Sequence, residues 1–134
     1  MSNSYRCPHC KASLNPGNKV VLRIGHGRKR GLVLLSPQVG NYKTIVGDDL
    51  VLSEGDRVQL ACPVCGEDLT SPVSRNLCHV LRLDEEGEPQ RVYFSKNFGE
   101  QATFVVHHDE VRMYGADVEL YDSVNFFGEG GRGG

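Results

Sequence analysis

Cys7-Pro8-His9-Cys10 and Cys62-Pro63-Val64-Cys65-Gly66 decide how this chain is tied together. Each is a Cys-x-x-Cys. A lone one is compatible with a metal, a disulfide or redox chemistry, whereas two in 134 residues point to a metal. Zn²⁺ takes soft thiolate ligands in a tetrahedron, with Zn–S near ~2.3 Å. Two cysteines three positions apart reach one ion if the backbone turns sharply between them. Pro8 and Pro63 fix φ in those turns, and Gly66 supplies a permissive φ after the second. Backbone N–H groups in such turns point at sulfur and stabilise its charge. One motif is half a site. The expectation is therefore that Cys7, Cys10, Cys62 and Cys65 together hold one structural Zn²⁺, leaving no open position for catalysis.

The stretch Ala61-Cys62-Pro63-Val64-Cys65-Gly66-Glu67-Asp68-Leu69 resembles a knuckle of the zinc-ribbon (rubredoxin-like) superfamily. Members of that superfamily pair two such turns, each at the end of a β-hairpin. The resemblance covers about a fifth of the chain, and it implies a metal and a local fold rather than a function. The usual gap between motifs is about 15–20 residues, but here residues 11–61 intervene. Closing the longer loop costs only about 1 kcal/mol more, against roughly 10–16 kcal/mol of apparent binding energy for a structural zinc. The insertion is tolerable, and it must form structure of its own.

Cys-Pro-His-Cys is also the active-site tetrapeptide of thioredoxin-fold disulfide oxidants. That chemistry needs the first cysteine at a helix N-terminus, where the dipole lowers its pKa. Here Lys11–Asn18 leads into a turn instead, so a thiol redox protein acting through Cys7 and Cys10 stands as an alternative to the metal.

The length suits one domain or two very small ones. A formal net charge of −2 gives no strong pull toward nucleic acid or membrane. No run of ~20 apolar residues is present, and the N-terminal residues lack a signal-peptide apolar stretch. The odd count of five cysteines suits reduced, metal-binding thiols better than a disulfide framework. A cytoplasmic protein with no membrane partner is expected.

Along the chain the apolar spacing is that of strands, with no 3.6-residue stripe. Strands are predicted over 19–24, 31–36 (buried on both faces), 42–46, 57–61, 77–83, 91–95, 100–108, 111–114 and 116–121. Val58, Leu60 and Cys62 share one face by the two-residue period, which aims a sulfur where core residues point. Thr70–Asn76 is the best boundary. It divides a zinc-ribbon-like region with a β-hairpin insertion, 1–72, from an antiparallel β region, 73–128, and a flexible glycine-rich tail, 129–134. No internal repeat is visible beyond the paired knuckles.

Gly25–Gly31 is read as an exposed hairpin tip whose Arg28, Lys29 and Arg30 are candidate nucleic-acid contacts. Cys78-His79 and His107-His108 suggest a second metal site. Yet neighbouring residues on a strand face opposite ways, so each pair offers one ligand at most. Glu85, Glu86 and Glu88 read as solvated turn charge, and His9 as pointing to solvent. The fold expected is all-β: a zinc ribbon with a long hairpin insertion, packed with a C-terminal antiparallel sheet. The function expected is a zinc-stabilised, non-enzymatic adaptor for a protein partner, with nucleic acid second and a homodimer through exposed edge strands plausible. A zinc-dependent hydrolase or metal-handling protein using Cys78, His107 and His108 is the enzymatic alternative.

Overall fold

β-branched and aromatic runs cut by glycine turns give an almost purely β chain. The computed structural model describes residues 4–47, 50–83, 87–108, 110–124 and 126. The strands are β1 (Ser4–Arg6), β2 (Val20–His26), β3 (Lys29–Leu35), β4 (Thr44–Val46), β5 (Gln59–Ala61), β6 (Leu77–Leu83), β7 (Pro89–Ser95), β8 (Thr103–His107) and β9 (Glu110–Tyr114). They form two antiparallel sheets, ordered β1-β6-β7-β8-β9 and β4-β3-β2-β5. The residues between the two Cys-x-x-Cys motifs build the whole four-stranded sheet, which is the independent structure their length demanded. β1, from the start of the chain, pairs with β6, with Tyr5 opposite Arg82.

The sheets share a core. Tyr5, Leu14, Leu22, Ile24, Val33, Leu60, Leu69, Val80 and Val92 pack in one cluster that also takes in Cys7, Cys62 and Cys78. A second cluster of Leu77, Tyr93, Phe104, Val106, Tyr121 and Phe126 packs the other face of the five-stranded sheet. Val92 and Tyr93, adjacent in β7, go to different clusters, as strand alternation requires. Burying each large side chain contributes about 1.5–3 kcal/mol.

Two predicted strands need correction. Residues 31–36 are not buried on both faces: β3 buries Val33, while Leu32 is 52% exposed, because none of the described residues covers the outer face of the four-stranded sheet there. Residues 116–121 are not a strand. After Gly115, whose Cβ would overlap the Gln101 carbonyl, Asp117 N–H donates to Gln101 O at 2.9 Å and Asp117 Oδ2 accepts from Gln101 N–H at 2.8 Å. This clasp turns the chain into a short 3-10 helix, Val118–Tyr121. The helix drops Tyr121 edge-on against Phe104, with its hydroxyl donating to Glu100. The long strand expected over 100–108 is regular only in β8. The glycine-rich tail and Glu85 and Glu86 lie outside the described residues. Among the described residues no helix is long and apolar enough to cross a membrane.

Candidate metal centre

Each knuckle hangs from an edge strand of a different sheet. β1 runs into Cys7 and β5 runs into Cys62, and both strands are sheet edges. The chain then crosses over. Leu14 O accepts the N–H of Val21 in β2, whereas Leu69 O accepts the N–H of His79 in β6. The first knuckle thus leaves the five-stranded sheet and returns to the four-stranded one, and the second does the reverse. Whatever joins the knuckles joins the sheets.

The two turns are built alike, bond for bond. Cys7 N–H donates to Ala12 O and Cys62 N–H to Glu67 O, each at 3.0 Å. Lys11 N–H donates to Cys7 O and Gly66 N–H to Cys62 O, each at 2.9 Å. Leu14 N–H reaches Tyr5 O as Leu69 N–H reaches Leu60 O. Arg6 bridges Ser13 as Ala61 bridges Asp68. The repeat therefore covers 5–14 and 60–69, wider than the cysteines alone suggested. In each, the apolar residue two before the first cysteine, that cysteine itself and the final leucine are buried.

The four sulfurs converge. Cys7 Sγ lies 3.8 Å from Cys65 Sγ, and Cys10 Sγ lies 3.8 Å from Cys62 Sγ. All four lie within 4.8 Å of one another. A tetrahedron with Zn–S of ~2.3 Å has S–S edges of about 3.8 Å, so this spacing is compatible with zinc. A disulfide would need about 2.0 Å, and all five cysteines are free. Cys7 Sγ accepts N–H bonds from His9 at 3.2 Å and Cys10 at 3.4 Å. Cys62 Sγ accepts the matching pair from Val64 at 3.3 Å and Cys65 at 3.4 Å. The first cysteine of each knuckle is buried and the second exposed.

Four thiols this close cannot all ionise without a cation between them. Burial pushes the Cys62 thiol up, but the N–H groups of Cys65 and Val64 and the neighbouring sulfurs of Cys65 and Cys7 bring it down to about 7. At Cys65 the N–H of Glu67 lowers the thiol, while desolvation and the other three sulfurs raise it, to about 12. Burial leads the rise at Cys7. A divalent cation removes this conflict by compensating every thiolate at once.

The other predicted positions separate. His9 is exposed, with Nε2 3.2 Å from Asp68 O of the opposite knuckle. Arg28, Lys29 and Arg30 are exposed, but the expected loop over Gly25–Gly31 is shorter: only Gly27 and Arg28 form the β2–β3 turn, while Lys29 and Arg30 open β3, paired with His26 and Gly25. The Arg30 guanidinium folds back to donate to the carbonyls of Gly27 and Lys29, each at 3.1 Å, and lies over Gly25, so Arg28 and Lys29 are the outward cations. The set Cys78, His107 and His108 is not assembled. Cys78 is fully buried in the shared core, its thiol pushed far up by desolvation, and stands opposite Phe94 in β7, which in turn stands opposite Thr103 in β8. His79 faces away from Cys78 and stacks on Tyr93, centroids 4.9 Å apart. Glu88, read from sequence as turn charge, instead lies beside His107 and His108. Only the β7–β8 register brings it there, and no spacing rule in the sequence encodes that register.

No family model, no curated protein and no solved structure matches this chain, and what the four-cysteine cluster can do is read from its own geometry.

Proposed function

We propose that Cys7, Cys10, Cys62 and Cys65 bind one Zn²⁺ as a closed structural site of zinc-ribbon type, and that the chain is a non-enzymatic module which presents its surface to a protein partner. The observation that carries this is the match between the sulfur spacing of 3.8 Å and the edge of a zinc–thiolate tetrahedron. Four protein ligands leave no position for water or substrate, so the ion's role is to staple the two sheets. A redox role for Cys7 and Cys10 fits poorly: neither follows a strand into a helix, and the Cys7 thiol is raised rather than lowered. Support for a protein partner comes from Leu32 and Ile45, 52% and 55% exposed on the outer face of the four-stranded sheet, and from Val64, 66% exposed at a knuckle tip. The free edge of β9 suits a second copy of the chain equally well.

Metal content per chain, with free thiols counted before and after a chelator, tests the centre. One zinc with four protected thiols is expected; no metal, or readily oxidised Cys7 and Cys10, overturns it. Nucleic acid is the second reading, favoured by the exposed Arg28 and Lys29. Charge reversal at Arg28, Lys29 and Arg30 should then abolish a salt-dependent affinity for RNA or DNA. Unchanged binding by the triple variant removes that reading.

A further inference from the structure

Strand geometry forbids two adjacent side chains from meeting at one point, yet His107 and His108 do meet. His107 is the last residue of β8. His108 lies past its end, in the turn to β9, with φ at +56°. In that left-handed conformation, which histidine adopts more readily than most non-glycine residues, the second ring swings round to lie 4.2 Å from the first, centroid to centroid. Glu88, just before β7, is brought alongside because β7 pairs with β8. One carboxylate oxygen, Glu88 Oε1, lies 3.4 Å from His107 Nε2 and 3.7 Å from His108 Nε2.

Those distances are informative. The His107 contact is a long hydrogen bond and the His108 contact is wider still, both beyond the about 2.7–2.9 Å of a tight charge-assisted pair. Imidazole nitrogens and carboxylate oxygens around a tetrahedral ion, at about 2.0–2.2 Å from it, lie about 3.4 Å apart. Both histidines direct Nε2, their more accessible ring nitrogen, at the same oxygen. As ligands both imidazoles are neutral lone-pair donors, and a shared dication is compensated by the single carboxylate.

We infer that Glu88, His107 and His108 form a second metal site, specific for a divalent transition ion of the Zn²⁺ or Co²⁺ kind. Imidazole ligands select against Mg²⁺ and Ca²⁺, which want oxygen. Three protein ligands leave a coordination position open, unlike the closed thiolate centre. Side-chain exposures of 32%, 73% and 51% for His107, His108 and Glu88 make the ion exchangeable with solvent. The site lies at the tips of two neighbouring hairpins, β6–β7 and β8–β9, at the opposite end of β6 from His79 and its link to the second knuckle. It is chemically independent of the cysteines. The expected behaviour is weaker, reversible binding of an ion that a further ligand from water or from a partner completes.

The test uses the full chain already carrying its first equivalent of zinc. Further Zn²⁺ is added by calorimetric titration, while ¹H–¹⁵N spectra follow the imidazole nitrogens. One additional ion per chain is expected, with His107 and His108 shifting and His26 unmoved. Glu88→Gln should weaken this step at least tenfold. His108→Asn should do the same while keeping a residue that tolerates positive φ, so that lost binding is not lost fold; backbone amide spectra check this. No additional ion, shifts centred on other histidines, or affinity within threefold of the parent in both variants overturns the site. Failure of the cysteine centre would show separately, as unprotected thiols in the starting protein.

Discussion

The two knuckles have the same backbone and different side chains, and the difference separates what the geometry demands from what it tolerates. Between 5–14 and 60–69, the positions kept alike are the two cysteines, the proline after the first, and the final leucine; the residue two before the first cysteine is apolar in both, Tyr5 and Leu60. These are the candidate ligands, the turn and the buried contacts. Two of the positions that differ are telling: His9 against Val64, both exposed, and Lys11 against Gly66, both at positive φ. The first pair is free because it faces solvent. The second pair is one requirement answered in two ways.

If the knuckles are halves of one centre, breaking either must cost the same. Cys10→Ser and Cys65→Ser, each removing an exposed ligand, should each cost at least about 4 kcal/mol, a small part of the roughly 10–16 kcal/mol of a structural zinc. A domain of this size has only about 5–15 kcal/mol in all, so a chelator should unfold much of the molecule or loosen the two sheets. Denaturant unfolding with and without metal measures both. A silent variant in one knuckle, with a severe one in the other, would show that the sulfurs do not act as a unit.

Next in size are the leucines that close each repeat. Leu14 and Leu69 are 0% and 1% exposed at equivalent positions. Leu14→Ala and Leu69→Ala should each cost about 2–5 kcal/mol through lost transfer energy and a residual cavity. The symmetry predicts two values within about 1 kcal/mol of each other. A large disparity would mean that one sheet relaxes around its knuckle and the other does not.

A smaller effect distinguishes the surroundings of the knuckles by pH. His79, whose N–H holds Leu69 O at 2.7 Å, keeps a buried Nε2 with no hydrogen-bond partner among the described residues. Desolvation first, then the charge of Arg91 and of His9 and Lys11 in the opposite knuckle, lower its pKa from 6.5 to about 4. The unfolded chain takes up this proton below pH ~6.5 and the folded one does not until near 4. The stability held by neutral His79 is therefore complete above ~6.5 and lost as pH falls through that window, on the order of 2–3 kcal/mol in all. Thiolate protonation would also release a metal held by the cysteines, so the difference between the parent and His79→Gln isolates the histidine's contribution. An imidazole titration of His79 with its midpoint at or above 6 would refute it.

Much of this was legible because short-range rules carried it. The knuckles follow from cysteine spacing and proline, and β6 from a seven-residue apolar run predicted to its end residues, Leu77–Leu83. Val58, Leu60 and Cys62 are all buried on the face that alternation assigned them. What failed needed information from elsewhere in the fold. The alternation of 116–121 was overridden by a clasp to Gln101, a residue in the distant connection before β8. The exposure of Leu32 depends on what the outer sheet face lacks. The convergence of His107 and His108 depends on one residue leaving the strand, and Glu88 on a register between strands. The wider repeat was visible in principle, since Leu14 and Leu69 fall at matching places after their cysteines, but without the backbone bonds two leucines prove little.

The smallest effect tests the comparison most sharply. Lys11 sits at φ +66° and Gly66 at φ +80°, and only glycine takes that conformation freely. A non-glycine residue there costs about 1–2 kcal/mol. Lys11 recovers part of this through a bond from Nζ to Pro8 O at 2.6 Å, but the bond is exposed and worth a few tenths. Lys11→Gly gains the strain back and loses about 0.5–1 kcal/mol to the freer unfolded chain, for a net stabilisation of about 0.5 kcal/mol. Gly66→Lys should cost a similar amount or slightly more. Its new Cβ meets nothing nearer than the Arg23 guanidinium at 3.9 Å, so conformation rather than space sets the cost. The double exchange, Lys11→Gly with Gly66→Lys, should then fall within about 0.5 kcal/mol of the parent, because it moves one strained position from one knuckle to its twin. If Lys11→Gly instead destabilises by more than 1 kcal/mol, the lysine side chain holds the first knuckle in a way that the second does without, and the two turns are alike in shape but not in what maintains them.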